Sequence, residues 1–129
     1  MKNIIKAAES IKERIEKPEE IEIGLILGSG LSKTIKPESD SKSMDWEEIP
    51  GFPSPSVESH EGKLIVGKSN GKRIMVQQGR IHWYEGQSMK KIVFSVRVMN
   101  LLGIKKLLIT NASGAINQEF APGDLVLIT

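Results

Sequence analysis

Cysteine is absent from this 129-residue chain, so it has neither a disulfide framework nor a thiolate metal site, and a reducing compartment, the cytoplasm, is the expectation. Long apolar runs are missing as well. No stretch approaches the roughly 20 residues needed to span a bilayer, and the N-terminal MKNIIKAAESIKERIEK is too charged for the apolar core of a secretory signal. No membrane partner is therefore expected. Charge of one sign is also lacking: 18 Lys+Arg against 16 Asp+Glu leaves +2, scattered along the chain rather than gathered into a stripe. That argues against a nucleic-acid partner. Histidines number two and tyrosine one, so any place where they meet an arginine stands out. What is present is 39% apolar residues, enough for the modest core of one domain.

Ile4, Ala8, Ile11 and Ile15 recur at helical spacing among charged residues, which predicts an amphipathic helix ending before Pro18. Ile21 to Leu27 (IEIGLIL) has the composition of a strand buried on both faces, as in a parallel sheet, and runs straight into Gly28-Ser29-Gly30. Residues 33–55 are rich in Ser, Lys, Glu and Pro, show no sustained period, and read as a long loop. Lys63 to Lys68 and Lys72 to Gln77 are strand-like runs joined by Asn70-Gly71, the signature of a type I′ hairpin. Ser88 is placed to cap a helix over residues 89–102, ended by Gly103 at C′. Lys106 to Thr110 and Leu125 to Thr129 read as further buried strands, the first followed by the small polar turn Asn111-Ala112-Ser113-Gly114. Strands alternating with helices predict an α/β fold built on a mixed sheet, with no internal repeat.

Several motifs compete. GKLIVGKS over Gly62 to Ser69 satisfies the phosphate-loop pattern of NTPases, but that loop follows a strand and opens a helix, whereas here the inner residues are strand-like and Asn70-Gly71 turns the chain back. Gly28-Ser29-Gly30 does follow a buried strand, yet Lys33 occupies the place of the third glycine of a dinucleotide fingerprint, and a plain tight turn reads equally well. Asn111-Ala112-Ser113 is formally a glycosylation sequon, a coincidence in a chain without an export signal. His60 and His82 could join a carboxylate around a metal, but no ligand spacing supports it, and no metal is expected.

The stretch Gly79-Arg80-Ile81-His82-Trp83-Tyr84-Glu85-Gly86 carries more information. In an extended segment alternate side chains share a face, so Arg80, His82 and Tyr84 would point together. Arginine presents paired planar donors that match phosphate, and the chain has only four: Arg14, Arg73, Arg80 and Arg97. One of the four thus shares a face with one of two histidines.

GLILGSGLS (Gly24 to Ser32), SHEGKL (Ser59 to Leu64), QGRIHWYEG (Gln78 to Gly86), TNASGAIN (Thr110 to Asn117) and PGDLVLIT (Pro122 to Thr129) resemble, in order, the successive signatures of the trimeric purine nucleoside phosphorylases. The resemblance spans nearly the whole chain and corresponds to the front, phosphate-binding portion of a single nucleoside phosphorylase domain. It implies a twisted mixed β-sheet flanked by helices, in truncated form. It implies that Ser29, His60, Arg80, Ile81, His82 and the backbone of Ala112 hold inorganic phosphate, that His82 is catalytic, and that Tyr84 lies against the ribose. The implied reaction is phosphorolysis of purine (deoxy)ribonucleosides to free base and pentose 1-phosphate in purine salvage. It implies a cytoplasmic homotrimer without a cofactor, phosphate being a co-substrate. In that family a carboxylate and an amide from the second half of the fold assist the departing purine, so residues 1–129 alone are expected to bind phosphate without appreciable phosphorolysis. Two alternatives stand beside this reading: a non-catalytic phosphate-binding remnant, and methylthioadenosine phosphorylase, which shares the fold and the phosphate site.

Overall fold

A computed structural model describes residues 1–28, 30–31, 35, 38, 40–53 and 62–128. The amphipathic pattern at the N-terminus forms helix α1 (Lys2–Arg14), which buries Ala7, Ala8 and Ile11 and carries Lys12 and Arg14 in its last turn, where cations favour the helix dipole. Pro18 opens a short 3-10 turn over Pro18–Glu20 that leads into strand β1 (Ile23–Leu27). Strand β2 (Lys42–Asp45) precedes a 3-10 turn at Trp46–Glu48, β3 (Lys63–Ser69) and β4 (Lys72–Gln78) form the hairpin, and a 3-10 turn at Trp83–Glu85 precedes helices α2 (Met89–Ile92) and α3 (Phe94–Leu101) and strand β5 (Lys106–Ile109).

The five strands form one sheet in the order β2-β3-β4-β1-β5. The β2–β3 and β3–β4 pairs are antiparallel, while β4–β1 and β1–β5 are parallel, so the sheet is mixed. At the hairpin tip Asn70 (φ 48) and Gly71 (φ 73) both take positive φ, which the Asn-Gly dipeptide tolerates and the twist of a two-residue hairpin requires. Because β3 runs from Lys63 to Ser69 and turns back, the phosphate-loop pattern over Gly62 to Ser69 has a hairpin around it and no helix after it.

Alternation along the strands divides the core in two. Ile26, Leu64, Val66 and Met75 face a layer made by α1 and α3, where Ala7, Ala8, Ile11, Phe94, Val98 and Met99 pack with Trp46 and Ile49. Leu25, Leu27, Ile74 and Val76 form a smaller cluster on the opposite face. At Gly24 the sulfur of Met99 stands 2.9 Å from where a Cβ would sit, so any larger residue there would have to displace the flexible Met99 side chain of α3.

Four sequence expectations need correction. Within 33–55, read as a loop, residues 42–45 pair with β3 from Lys42↔Val66 to Asp45↔Lys63, and Trp46 is 1% exposed. An edge strand with one apolar residue, Met44, gives almost no periodic signal, because the pairing is made by backbone. The helix expected over 89–102 is interrupted at Val93 (φ −89, ψ 7), between the β-branched Ile92 and Phe94, and resumes as α3. Strand β5 forms as expected but is exposed along its length rather than buried, since among the described residues β1 is its only strand neighbour. Leu125 to Ile128 form no strand and lie exposed; Thr129 is outside the described residues.

Candidate functional site

Parallel strands present their carboxyl ends on one side of a sheet, which is where ligands of open α/β folds collect. Here β1 leads into Gly28, β4 runs out through Gly79 into Arg80, and β5 leads into Thr110, so three strand ends converge. Thr110 ties two of them together. Its Oγ1 accepts from the Gly28 amide at 3.0 Å, and its amide donates to the Ile26 carbonyl at 3.0 Å.

Arg80 lies in the middle of this junction. Gly79 (φ 93) turns the chain as it leaves β4, and the buried Gln77 side chain braces that turn by donating from Nε2 to the Gly79 carbonyl at 2.9 Å. The guanidinium donates from Nη1 to the Thr110 carbonyl at 2.8 Å and from Nε to His82 Nε2 at 3.0 Å. Its Nη2 is 3.2 Å from where a Cβ on Gly28 would stand, and Thr110 O is 3.1 Å from the same point. A side chain at 28 would therefore press on both the Arg80 guanidinium and the Thr110 carbonyl.

The network assigns the histidine tautomer. Arg80 Nε can only donate, so His82 Nε2 accepts, and the ring proton sits on Nδ1. There it meets Glu85 Oε1 at 2.7 Å, and the same oxygen accepts the His82 backbone amide at 3.2 Å. The Trp83–Glu85 turn brings the carboxylate back onto the residue that starts it, a capping-box arrangement in which histidine is the N-cap. Tyr84 stacks on the imidazole with centroids 4.7 Å apart and planes 17° from parallel, while remaining 79% exposed.

The expectation that Arg80, His82 and Tyr84 converge is met by two geometries. Extended backbone brings Arg80 and His82 together, and the 3-10 turn then lays Tyr84 against the ring. Ile81, between them, buries its side chain in the core, leaving only backbone for the site side. Ala112 lies two residues past Thr110 on the exposed stretch after β5; the neighbouring Asn111 Cα is 3.4 Å from the Gly28 Cβ position. Ser29 and His60 lie outside the described residues. Sequence reasoning gave no role to Gly28, Thr110 or Glu85. Glu85 had a signal, an acidic residue three places after His82 at a turn. Among the described residues no group of three or more His, Cys, Asp or Glu is placed to hold a metal ion, and no helix is long and apolar enough to cross a membrane.

An arginine, a histidine and a carboxylate thus gather at the parallel strand ends of a mixed α/β sheet, the place where ligands of open α/β folds collect. The chain belongs to the phosphorylase superfamily, whose family model matches residues 22–129. It is 46% identical over 126 residues to purine nucleoside phosphorylase 1 of Bacillus subtilis, covering 98% of this chain and 46% of that protein. It is 42% identical over 107 residues to the purine nucleoside phosphorylase of Rattus norvegicus, covering 83% of this chain and 37% of that one. The crystal structure of Schistosoma mansoni purine nucleoside phosphorylase in complex with inosine superposes with a TM-score of 0.83 at 38% identity, over 96% of this chain and 42% of that chain. The chain thus spans under half the length of the relatives it matches.

Proposed function

We propose that these residues form the phosphate-holding side of a purine nucleoside phosphorylase. The observation that carries the proposal is the Arg80 guanidinium, pinned by the Thr110 carbonyl and His82 Nε2 at the strand ends with its remaining edge turned toward the Gly28 turn. A fork fixed in this way costs little reorganisation when an anion arrives. In this reading Ser29, His60, Arg80, His82 and the backbone at Ile81 and Ala112 surround inorganic phosphate. Glu85 holds His82 in register for a phosphate oxygen, and Tyr84 lies beside the ribose. Phosphate forms a bond to the anomeric carbon as the bond from that carbon to the purine nitrogen breaks; the electron pair leaves with the base, which takes up a proton. The phosphate dianion, beside a carbon that develops positive charge, is both nucleophile and electrostatic partner, and His82 acts by fixing the Arg80 guanidinium that orients it. No cofactor enters, and the whole protein is read as a cytoplasmic homotrimer on the strength of the family resemblance.

Two measurements test this. Replacing Arg80 by Ala should weaken phosphate binding by about tenfold or more, since charge-assisted hydrogen bonds contribute about 1.5–3 kcal/mol each; unchanged phosphate affinity by calorimetry would overturn the assignment. A polypeptide limited to residues 1–129 is expected to bind phosphate yet release no hypoxanthine from inosine. Robust phosphate-dependent release would place the purine-side chemistry within these residues.

A further inference from the structure

The phosphate-loop look-alike at Gly62 to Ser69 leads to the opposite end of the sheet. In the β3–β4 ladder its Lys68 is paired with Arg73, and in the β2–β3 ladder Lys42 is paired with Val66. Side chains directly opposite one another share a sheet face, as do residues two apart along a strand, so Lys42, Lys68 and Arg73 all lie on one face. It is the face covered by α1, because Val66 belongs to that core. Like charges directly opposed across a ladder repel, so the Lys68–Arg73 pair costs stability as it stands.

The chain leaving α1 forms one wall of an open cleft around these groups. A cavity of about 570 Å³ is lined by Arg14, Lys17, Lys42, Lys68 and Arg73 against Glu16, Glu20 and Asp40, five cationic side chains to three carboxylates. Some of this charge is already matched: Lys17 pairs with Glu20 at 2.9 Å and Arg14 with Glu48 at 3.2 Å. The Glu20 carboxyl is held below its usual range, first by the Lys17 hydrogen bond and further by Arg73 and Lys68, so these groups feel one another across the cavity. Arg73 Nη2 donates to the Glu16 carbonyl, whereas its buried Nε has no partner among the described residues. Lys42 and Lys68 form no ion pair among the described residues. Arg73 precedes the Ile74↔Ile23 pair at the amino ends of β4 and β1, and Arg80 follows the far end of β4.

We propose that this cavity binds a small polyphosphate, a compound with two or more adjoining phosphate groups, gripped by Lys42, Lys68 and Arg73. Its volume lies in the range of small-molecule sites. With Lys68 on β3 between Lys42 on β2 and Arg73 on β4, the arginine at one end offers planar paired donors for one phosphate and the lysines offer point charges for the next. A bound polyanion would also relieve the repulsion between Lys68 and Arg73.

The test is a calorimetric titration with inorganic tripolyphosphate, with orthophosphate and a nucleoside triphosphate as parallel arms. Saturable tripolyphosphate binding is expected in the unaltered protein and in Arg80→Ala, weakened about tenfold or more in Lys68→Ala and in Lys42→Ala, and falling with added salt. Nucleoside triphosphate binding equal to that of tripolyphosphate assigns recognition to the phosphate chain, and tighter binding makes a nucleotide the source of that chain. The proposal is overturned by non-saturable binding, by affinity indifferent to both lysine variants, by orthophosphate binding as tightly as tripolyphosphate, or by loss of binding in Arg80→Ala alone. Lys68→Ala removes one of two opposed cations from an exposed position, so its unfolding midpoint should hold or rise, and Lys42→Ala is an independent second variant. Because the Arg80 variant separates the two ends of the sheet, failure here leaves the strand-end assignment standing, and the reverse.

Discussion

Strands β1 and β5 lie side by side, parallel and in register from Ile23↔Lys106 to Ile26↔Ile109, and both are short runs rich in Leu and Ile, with Gly24 in the first and Lys106 opening the second. Their surroundings differ completely. β1 is flanked by β4 and β5 and covered on both faces, so Leu27 is 1% exposed, whereas β5 has one strand neighbour among the described residues and its Leu108 is 51% exposed. Equal composition therefore does not mean equal contribution to stability, because burial is conferred by neighbours and not by the side chain itself. The chain beyond β5 follows the same pattern: Leu125 and Ile128 are 98% and 85% exposed.

The largest expected effect sets the two strands against each other directly. Leu27→Ala removes a side chain packed with Leu25, Ile74 and Val76 and should cost about 2–5 kcal/mol in denaturant unfolding. Leu108→Ala, on the exposed strand, should change stability by less than about 0.5 kcal/mol in the same measurement. Comparable losses would mean that β5 is covered in solution and would remove the contrast.

A smaller effect is expected where the two strands are joined. Gly28 follows β1, and its amide is held by Thr110, which follows β5. A Cβ at 28 would stand 3.1 Å from the Thr110 carbonyl and 3.2 Å from Arg80 Nη2, so one backbone group and one flexible side chain must both give way. Gly28→Ala is expected to cost about 1–3 kcal/mol, the range of overpacked positions, and to weaken phosphate binding by displacing the guanidinium. A variant that keeps its phosphate affinity would show that Arg80 does not depend on the strand junction.

Much of this architecture is legible in the sequence wherever a residue's own chemistry dictates the geometry. Asn70-Gly71 specifies the hairpin turn, Gly103 takes the left-handed conformation (φ 89) that ends a helix, and the alternation of Arg80 and His82 places both on one face. What is not legible depends on partners far along the chain. β2 exists because β3 pairs with it, β5 is exposed because among the described residues only β1 pairs with it, and Thr110 joins the candidate site only because β5 delivers it beside Gly28. Glu85 reaches His82 only through a 3-10 turn, where extended backbone would turn it away.

Ser88 shows the same distinction on a small scale, and there the expected effect is least. Its position before Met89 is that of an N-cap, and its carbonyl accepts from the Lys91 and Ile92 amides, so the backbone of the helix start is formed. The side chain makes no capping bond, however, and α2 runs for one turn before the break at Val93, so the hydroxyl has little helix to stabilise. A serine that caps through its hydroxyl is worth about 1 kcal/mol against alanine. Ser88→Ala should instead leave the unfolding free energy within about 0.5 kcal/mol of the parent, as at an ordinary exposed position. The measurement is a urea titration of both proteins with the slope held in common. A loss near 1 kcal/mol would show that the hydroxyl turns inward to the helix amides in solution, and the capping role read from the sequence would then stand in full.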